Sequence, residues 1–561
     1  MRYIRSVIVL FFILPFSSIL SAGERNIDLP LKVTPAITGN FGELRNNHFH
    51  TGVDFRAPLN TPVYSPDSGY VSRVSVAPNG YGNALYITHP SGITTVYGHI
   101  NSFAPSIDRE LRKRQNLLEY YAVDISFAPG ELPVSRGEIV AYTGNRGSSG
   151  GPHLHFEVRE TESERALDPL KYYKQNLRDT RPPVIRTVAV MPLHGYVNGR
   201  DKKIGLPAVP AKNGKKIICS PVTAWGEIIL GVKSYDYMDG MSNIYGVRSV
   251  KLFKDGELIY ESGIDTLDFS KGRMLNTFVD YQSWVQNRSL IMRSYVAAGN
   301  SLPFYGKVVN RGVVNVNEER DYRFRYELRD LYGNLDVCEF TIKGVKKELA
   351  KKVKHEVRYD APFSVKNHEF SFDMPAYTVY DDWTPVYSSE EVSSPGYYSP
   401  VHKILPQYVP FDKSCKVKIK LKDDTLKNKR QYYIAHFSSG DNGYRRDGVF
   451  NSVYADGWVS AESKMPGMFV IMRDATPPVI CPLGASGGEL KFKVTDCDSG
   501  LKYFRGEIDG KFALFQSDCK DNIARYAIDY DLFKRGVRHR VKFTAVDNCG
   551  NERVYDSAIL F

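Results

Sequence analysis

Two histidines stand one residue apart in the segment GPHLHFEV, at residues 151–158. On a β-strand, residues i and i+2 point to the same face, so His153 and His155 project into one space while Leu154 turns to the other side. Two imidazoles at this spacing repel each other when both are protonated. The pair therefore favours a strand on which a bound metal ion keeps one imidazole neutral.

The residues around this pair indicate a β-sheet. The segments TPVYSPDSGYVSRVSV, GNALYITHPSGITTVYGHI and GEIVAYTGN alternate in polarity or are rich in β-branched residues, with Gly and Pro at their turns. The stretch from residue 24 to residue 177 also holds half of the chain's 12 histidines. We expect these segments to form one sheet that carries the chemistry of the chain.

A carboxylate accompanies the first of these histidines. His50 and Asp54 lie four residues apart in HFHTGVD, and we expect Gly52 to let the chain bend and return the carboxylate beside the imidazole. Two neutral imidazoles and one carboxylate would leave Zn²⁺ with a net charge of about +1 and an open fourth position for water. That pattern is typical of a catalytic zinc site. The 7 cysteines begin only at Cys219, so this region has no thiolate ligand.

The ordered motifs H-x-x-x-D, Y-x-H and S-x-G-G-P-H-L-H-F-E-V closely resemble the lysostaphin and LytM type of zinc peptidoglycan endopeptidase. The resemblance spans residues 36–172. Carried over by position, it implies that His50, Asp54 and His155 bind one zinc ion per chain. It also implies that His99 and His153 are catalytic residues that do not bind the metal.

Three features of this region lie outside the motif set. His89, just before a PSG turn, is expected to be structural, and His48 is expected to be structural or to border the site. After the His99 strand, the insertion at residues 105–134 is longer than the hairpin usual in the family. Its segment IDRELRKRQNLLEYYA predicts a short basic helix beside the cleft, which could narrow substrate choice, act as a lid, or be decoration.

The N-terminus predicts export. Residues 1–23 combine Arg2 and Arg5, an apolar run and a small-residue end, as a secretory signal does; an uncleaved anchor is the alternative. No later segment is apolar enough to cross a bilayer, so we expect no transmembrane segment after signal cleavage. The expected location is the periplasm or the cell surface. In that compartment nucleic acid is excluded as a partner, and the net charge of +11 fits an anionic envelope surface or an ordinary basic protein.

Proline-rich segments divide the rest of the chain. DTRPPVIRTVAV and DATPPVICPLG share the pattern D-x-[RT]-P-P-V-I, and each opens a β-patterned region that ends in a D-x-x-G-N turn. We interpret these regions as two copies of one Ig-like or fibronectin-like β-sandwich, with the Gly and Asn of each turn at positive φ. Up to two disulfides are possible among the last four cysteines.

The predicted fold class is mainly β. An antiparallel β-sheet metallopeptidase domain is followed by β-sandwich modules, with a β-rich module of unknown type between the two copies. The predicted boundaries are the signal peptide at 1–23, the peptidase domain at 24–178, a β-sandwich with an insertion at 179–345, the unassigned module at 346–473, and the C-terminal β-sandwich at 474–561.

Together with the predicted signal peptide, the resemblance implies an exported zinc metalloendopeptidase that hydrolyses peptide cross-links or stem peptides of bacterial peptidoglycan. His153 is the candidate general base for the attacking water and His99 the candidate donor to the oxyanion, and these roles could be exchanged. The β-modules would act as spacers or bind a cell-envelope protein or glycan. The alternatives are a non-catalytic wall-binding protein, a regulator of cell-wall amidases, or an adhesin whose β-modules carry the function.

Overall fold

The computed structural model describes residues 27–212, 214–351, 355–392, 396–440 and 443–561. The predicted signal peptide, residues 1–23, lies outside the described residues. Within the described ranges, no helix has both the length and the apolar character needed to span a membrane. The mainly β fold class is confirmed, because strands in antiparallel sheets dominate and the α-helices are short and few.

The N-terminal region contains two α-helices, α1 (Pro105–Leu118) and α2 (Leu170–Tyr173), and a 3-10 turn at Lys174–Asn176. Its strands, β1 to β14 in chain order, are Ile37–Gly39, Leu44–Arg45, His48–Phe49, Val53–Arg56, Pro62–Tyr64, Gly69–Val76, Asn83–Thr88, Ile93–Gly98, Ser102–Phe103, Val123–Ser126, Pro133–Val134, Ile139–Tyr142, His153–Glu160 and Ala166–Leu167.

A ten-stranded sheet organises this region, and its main path runs β1-β4-β13-β8-β7-β6-β10. Strand β13, which carries the two histidines, lies between β4 and β8 and pairs antiparallel with both. The register sets His155 opposite Asp54 on one side and opposite Gly98 on the other. Residues from three distant parts of the sequence therefore meet at one place on the sheet, and His99 follows directly after β8.

The other face of β13 belongs to the core. Leu154, Phe156 and Val158 are fully buried and pack among aliphatic and aromatic residues of the same domain. Burial of side chains of this size contributes about 1.5–3 kcal/mol each. The predicted alternation along this strand is thus confirmed, with the histidines on one face and the core on the other.

The insertion forms the predicted helix, α1, and then adds the edge strand β10 to the sheet. One face of α1 packs into the domain core through Ile107 and Leu111, so the helix is anchored to the domain. Two of its basic residues are paired: Arg112 with Asp108, and Arg114 with acidic neighbours that include Glu131. Removing the insertion would expose this part of the core.

The second β-rich region, whose strands run from Val184 to Gly344, packs directly against the N-terminal region. Its strand Thr266–Leu267 (β22) extends the first sheet by pairing with β14, and Phe41 and Phe49 of the first region lie in its core. Its helices are α3 (Leu275–Phe278) and α4 (Tyr281–Asn287). Strands β15 to β27 are Val184–Val197, Ile204–Pro207, Val209–Pro210, Lys216–Ile217, Thr223–Tyr235, Ser249–Lys254, Glu257–Gly263, Thr266–Leu267, Met292–Arg293, Tyr305–Val308, Val314–Val316, Asp321–Arg329 and Leu335–Gly344.

The middle region, which the sequence assigned only as β, consists of two five-stranded sheets around one core. Strands β28 to β37 are Phe363–Lys366, Phe370–Met374, Val386–Glu390, Val401–Leu405, Cys415–Lys420, Tyr432–Gly440, Gly443–Phe450, Val453–Ala455, Trp458–Ser463 and Gly467–Arg473. The sheet orders are β28-β29-β32-β36-β35 and β30-β31-β37-β33-β34.

The C-terminal region pairs a three-stranded sheet, β38-β39-β42, with a four-stranded sheet, β41-β40-β43-β44. Both sheets share one core. All seven cysteines of the chain are free thiols, so the possible C-terminal disulfides are absent. Strands β38 to β44 are Val479–Ser486, Glu489–Thr495, Leu501–Ile508, Lys511–Ala513, Ile523–Ala527, Arg538–Asp547 and Glu552–Leu560.

The two D-x-x-G-N turns form the predicted hairpins, between β26 and β27 and between β43 and β44. Gly333 and Gly550 have the predicted positive φ, at +94° and +82°. The prediction is wrong for Asn334 and Asn551, which are not among the residues with positive φ. Each Asn amide instead donates to the aspartate carboxylate of its own turn and to the backbone carbonyl of the aspartate that opens the region.

Candidate active site

Four histidines and an aspartate meet where β4, β13 and the end of β8 lie side by side. The structure brings together all five residues singled out from the sequence. Four are almost completely buried, with His50, Asp54, His155 and His99 at 2%, 5%, 3% and 6% exposure. The rings of His99 and His153 lie next to each other, with centroids 4.8 Å apart.

Three donor atoms of this cluster converge. His50 Nε2 lies 3.0 Å from Asp54 Oδ1 and 2.9 Å from His155 Nδ1, and the latter two atoms are 2.9 Å apart. Zinc binds nitrogen and oxygen at about 2.0–2.2 Å, which separates tetrahedral donors by about 3.3 Å. The observed separations between the donor atoms are slightly shorter than this value, so the donor set fits a zinc ion after a small outward adjustment.

The second nitrogen of each of these imidazoles is held by the protein. His50 Nδ1 lies 2.7 Å from the carbonyl oxygen of Asn40, and His155 Nε2 lies 2.9 Å from Glu157 Oε1. Neither of these oxygens, when the carboxyl is ionised, can donate a hydrogen bond, so the histidine nitrogen carries the proton in each pair. The lone pairs of His50 Nε2 and His155 Nδ1 are thereby directed at the shared centre, as metal ligands require.

His99 and His153 are oriented in the same way but lie beside the converging donors. The Nδ1 atom of His99 donates to the carbonyl oxygen of Arg146 at 2.7 Å, and that of His153 to the carbonyl of Gly151 at 2.8 Å. His153 Nε2 is buried without a hydrogen-bond partner, 3.5 Å from Asp54 Oδ1. A buried unpartnered nitrogen at this place is suited to a water or a substrate group.

Electrostatics keep the aspartate ionised. Burial alone would raise the pKa of Asp54, but the neighbouring His50, His153 and His155 hold it far below its usual range. Arg45 donates to Asp54 Oδ2 at 2.6 Å, and Oδ1 therefore faces the point at which the three donor atoms converge. Burial lowers the pKa of His50 to about 4, so this imidazole is neutral at physiological pH.

Glu157 is a buried carboxylate beside His155 that the sequence analysis did not single out. Its carboxylate is fully buried, accepts from His155 and from Tyr81, and pairs with Arg159 at 2.6 Å. Burial alone would raise the pKa of Glu157, but the charge of Arg159 lowers it to about 2. The signal was available, because Glu157 lies two residues beyond His155 on the same face of the strand.

Replacing Glu157 with glutamine is expected to weaken zinc binding about 10- to 100-fold, the usual effect of losing a partner of a metal-binding histidine. The neutral amide no longer increases the basicity of the His155 imidazole. Competition with a chromophoric chelator measures the affinity. Glu160→Gln, at the half-exposed end of the same strand, is the matched control and should bind zinc as the wild type does. Equal affinities for both variants would contradict the role given to Glu157.

Gly52 acts differently from the sequence prediction. It is not among the glycines with positive φ, so it does not provide an unusual bend. A Cβ atom at this position would lie 2.3 Å from the carbonyl oxygen of Phe156 and 2.8 Å from Glu157. The residue is therefore required for close approach of this loop to β13, which brings His50 next to His155.

The remaining two histidines of the domain are outside the cluster. His89 is buried and has both ring nitrogens near protein partners, the carbonyl of Ser68 and the hydroxyl of Thr95. This agrees with the structural role expected for it. His48 is exposed, with Nδ1 2.8 Å from the carbonyl of Asn46.

The fold and this donor set define the class of the N-terminal domain. Residues 48–118 match the model of peptidase family M23, and the chain therefore carries an M23 peptidase domain of the lysostaphin and LytM type. The matched range includes His50, Asp54 and His99. Residues 354–474, in the middle region, match the model of a Zu5-like domain.

Curated relatives are similar to the chain over this domain. DD-carboxypeptidase/endopeptidase Mpg of Neisseria meningitidis serogroup B is 33% identical over 110 residues, which cover 20% of each chain. Peptidoglycan DD-endopeptidase ShyB of Vibrio cholerae is 37% identical over 122 residues, 22% of each chain. The chain thus spans about a fifth of the length of these relatives. A solved zinc-containing peptidase from Vibrio cholerae is 30% identical, with 26% of this chain and 39% of that chain covered and a TM-score of 0.20.

Proposed function

We propose that this chain is an exported, zinc-dependent endopeptidase that hydrolyses peptide bonds in the cross-links or stem peptides of bacterial peptidoglycan. The observation that carries the proposal is the convergence of His50 Nε2, Asp54 Oδ1 and His155 Nδ1 within 3.0 Å, with His99 and His153 beside them. An M23 domain with a relative named as a peptidoglycan DD-endopeptidase supports the substrate class.

In this proposal His50, Asp54 and His155 hold one zinc ion per chain. When bound, zinc supplies Lewis-acid chemistry: it polarises the scissile carbonyl and lowers the pKa of a water molecule toward about 7. The carbonyl of Asn40 and the carboxylate of Glu157 keep the two imidazoles in the tautomers that ligation needs. Burial of the three ligands excludes bulk water, which strengthens electrostatic interactions inside the site.

His153 is the proposed general base and His99 the proposed donor to the oxyanion. With its Nδ1 proton held by Gly151, neutral His153 has its lone pair on Nε2, where it can accept a proton from the attacking water. His99 has the same arrangement with Arg146, and burial lowers its pKa to about 3, so it donates from Nε2 only after it has taken up a proton during the reaction. Because the two rings are held alike and lie 4.8 Å apart, the two roles remain exchangeable.

Digestion of purified sacculi by the mature protein tests this function. The zinc-loaded protein is expected to release peptide-cleaved muropeptides that mass spectrometry identifies by the bond cut, and a chelator should abolish the release. The β-modules would then serve as spacers or as docking surfaces for an envelope protein or glycan. Binding to sacculi of several wall types without any release would favour the alternative, a non-catalytic wall-binding protein or amidase regulator.

A further inference from the structure

A loop of the C-terminal region contacts the domain that holds the histidine cluster. We call residues 516–522 the docking loop. The backbone N–H of Cys519 donates to the carbonyl of Pro78 at 2.8 Å, and the backbone N–H of Gly147 donates to Asp518 Oδ2 at 3.0 Å. Parts of the chain that are more than 350 residues apart in sequence thus share hydrogen bonds beside the candidate active site.

The ammonium group of Lys520 lies at the centre of this contact. It donates to the carbonyl oxygen of Gly147 at 2.5 Å and to that of Asn145, and it pairs with Asp518 at 3.1 Å. These three acceptors match the three donors of an ammonium group. The Asp518 side chain is 11% exposed and that of Lys520 is 32% exposed, so the carboxylate is shielded while the ammonium group keeps some contact with solvent.

The peptide held in this way is the one that orients His99. Arg146 lies between the two carbonyls that Lys520 binds. Its N–H donates to the carbonyl of His99 at 3.3 Å, and its own carbonyl accepts from His99 Nδ1 at 2.7 Å. The position of the Arg146 peptide therefore determines the direction of the His99 ring.

The backbone of His99 is in an uncommon conformation. Its φ is +60°, in the left-handed region that non-glycine residues rarely adopt and that persists where the surroundings hold it. The loop that contacts it, GNRGSSGG at residues 144–151, has no apolar side chain to pack into the core. Gly147, at φ +70°, fits so tightly that a Cβ atom would lie 2.3 Å from the backbone nitrogen of Gly82.

A second contact fixes the C-terminal region against the peptidase domain. Arg505 pairs with Glu119, at the end of helix α1, at 2.7 Å. Between this pair and the docking loop lies a cleft of about 420 Å³, lined by residues that include Tyr120, Tyr121 and Phe504. The two domains are thus joined by polar contacts at either side of a cleft, and one of these contacts lies on the loop that bonds to His99.

We propose that Asp518 and Lys520 are positioning residues for His99, so that the C-terminal module completes the active site of the peptidase domain. They act by holding the 145–147 backbone, and through it the Arg146 carbonyl that orients the His99 ring. The inference rests on the proposed function, because it takes its catalytic meaning from His99. The hold of the docking loop on residues 145–147 can be tested without measuring any activity.

The first test compares variants of the full mature chain on a soluble cross-linked muropeptide. Lys520→Met removes the three donors while keeping most of the length and apolar stem of the side chain. We expect kcat to fall about 10- to 100-fold, as for a misplaced catalytic group, with KM and zinc content unchanged. Lys520→Arg, which keeps a charged donor, should recover part of the loss. Lys542→Ala, at an exposed position on β43 of the same module, is the matched control and should keep wild-type kcat.

The second test is hydrogen exchange of the peptide that covers residues 144–152 in metal-free protein. Asp518→Ala removes the acceptor of the Gly147 amide and Lys520→Met releases two carbonyls, so both should speed exchange there, unlike Lys542→Ala. Unchanged kcat or unchanged exchange would overturn the inference. Raised turnover would also overturn it, because the contact would then restrain the site. A wild type that hydrolyses nothing would instead overturn the proposed function, and exchange would still decide whether the docking loop holds this segment.

Discussion

Replacing Asp54 with alanine is expected to remove bound zinc and peptide hydrolysis together. The variant deletes one of three converging donors and leaves two buried imidazoles without the carboxylate that both contact. His155→Ala should behave in the same way, because it removes another donor. Metal analysis of the purified variants and hydrolysis of a cross-linked muropeptide measure the two losses on the same samples, and each should fall to background.

The control for this pair of variants is His48→Ala. His48 is two residues before His50 but is exposed, and its Nδ1 contacts the Asn46 carbonyl, so its removal should leave zinc content at one per chain. Thermal unfolding of each variant shows whether the domain remains folded. An Asp54→Ala protein with a full complement of zinc would contradict the assignment of this residue as a ligand.

Replacing His99 with asparagine is expected to separate metal binding from turnover. Asparagine tolerates the positive φ of this position, so the backbone should keep its conformation while the imidazole is lost. Zinc content should remain at one per chain, because the converging donors are untouched. Loss of a positioned acid or base typically lowers turnover about 10²- to 10⁴-fold, and steady-state kinetics with zinc analysis measure both quantities.

His153→Gln is the companion variant for the same experiment. Both variants should keep zinc, and the variant whose pH–rate profile loses its acidic limb identifies the histidine that accepts the proton of the attacking water. A His99→Asn protein with turnover within about twofold of the wild type would show that His99 has no part in the chemistry, since even one positioned donor contributes more. Loss of zinc from His99→Asn would place His99 among the ligands instead.

Local periodicity was sufficient to predict much of the candidate site. The alternation of β13 predicted that His153 and His155 share a face with Leu154 turned to the core, and the structure has this arrangement. The helix in the insertion followed from its composition, and the hairpins followed from their turn residues. These features depend on neighbours within a few residues, which a sequence displays directly.

Contacts between distant segments could not be predicted in this way. The Arg146 carbonyl that holds His99 is a backbone atom, which any residue type would supply. The contacts of Lys520 with Asn145 and Gly147 join segments about 370 residues apart, and nothing in either segment indicates the other. The role of Gly52 was mistaken because close packing against Phe156 depends on tertiary structure, whereas a bend would have been a local property.

Stepwise reconstitution of the metal-free protein tests the central claim most directly. Metal is removed with a chelator, zinc is returned in fractions of an equivalent, and zinc content and the rate of muropeptide cleavage are measured on each sample. The account predicts no cleavage without metal and a rate that rises in proportion to bound zinc, up to one ion per chain. Full cleavage by the metal-free protein, or no cleavage by protein that holds one zinc, would contradict it.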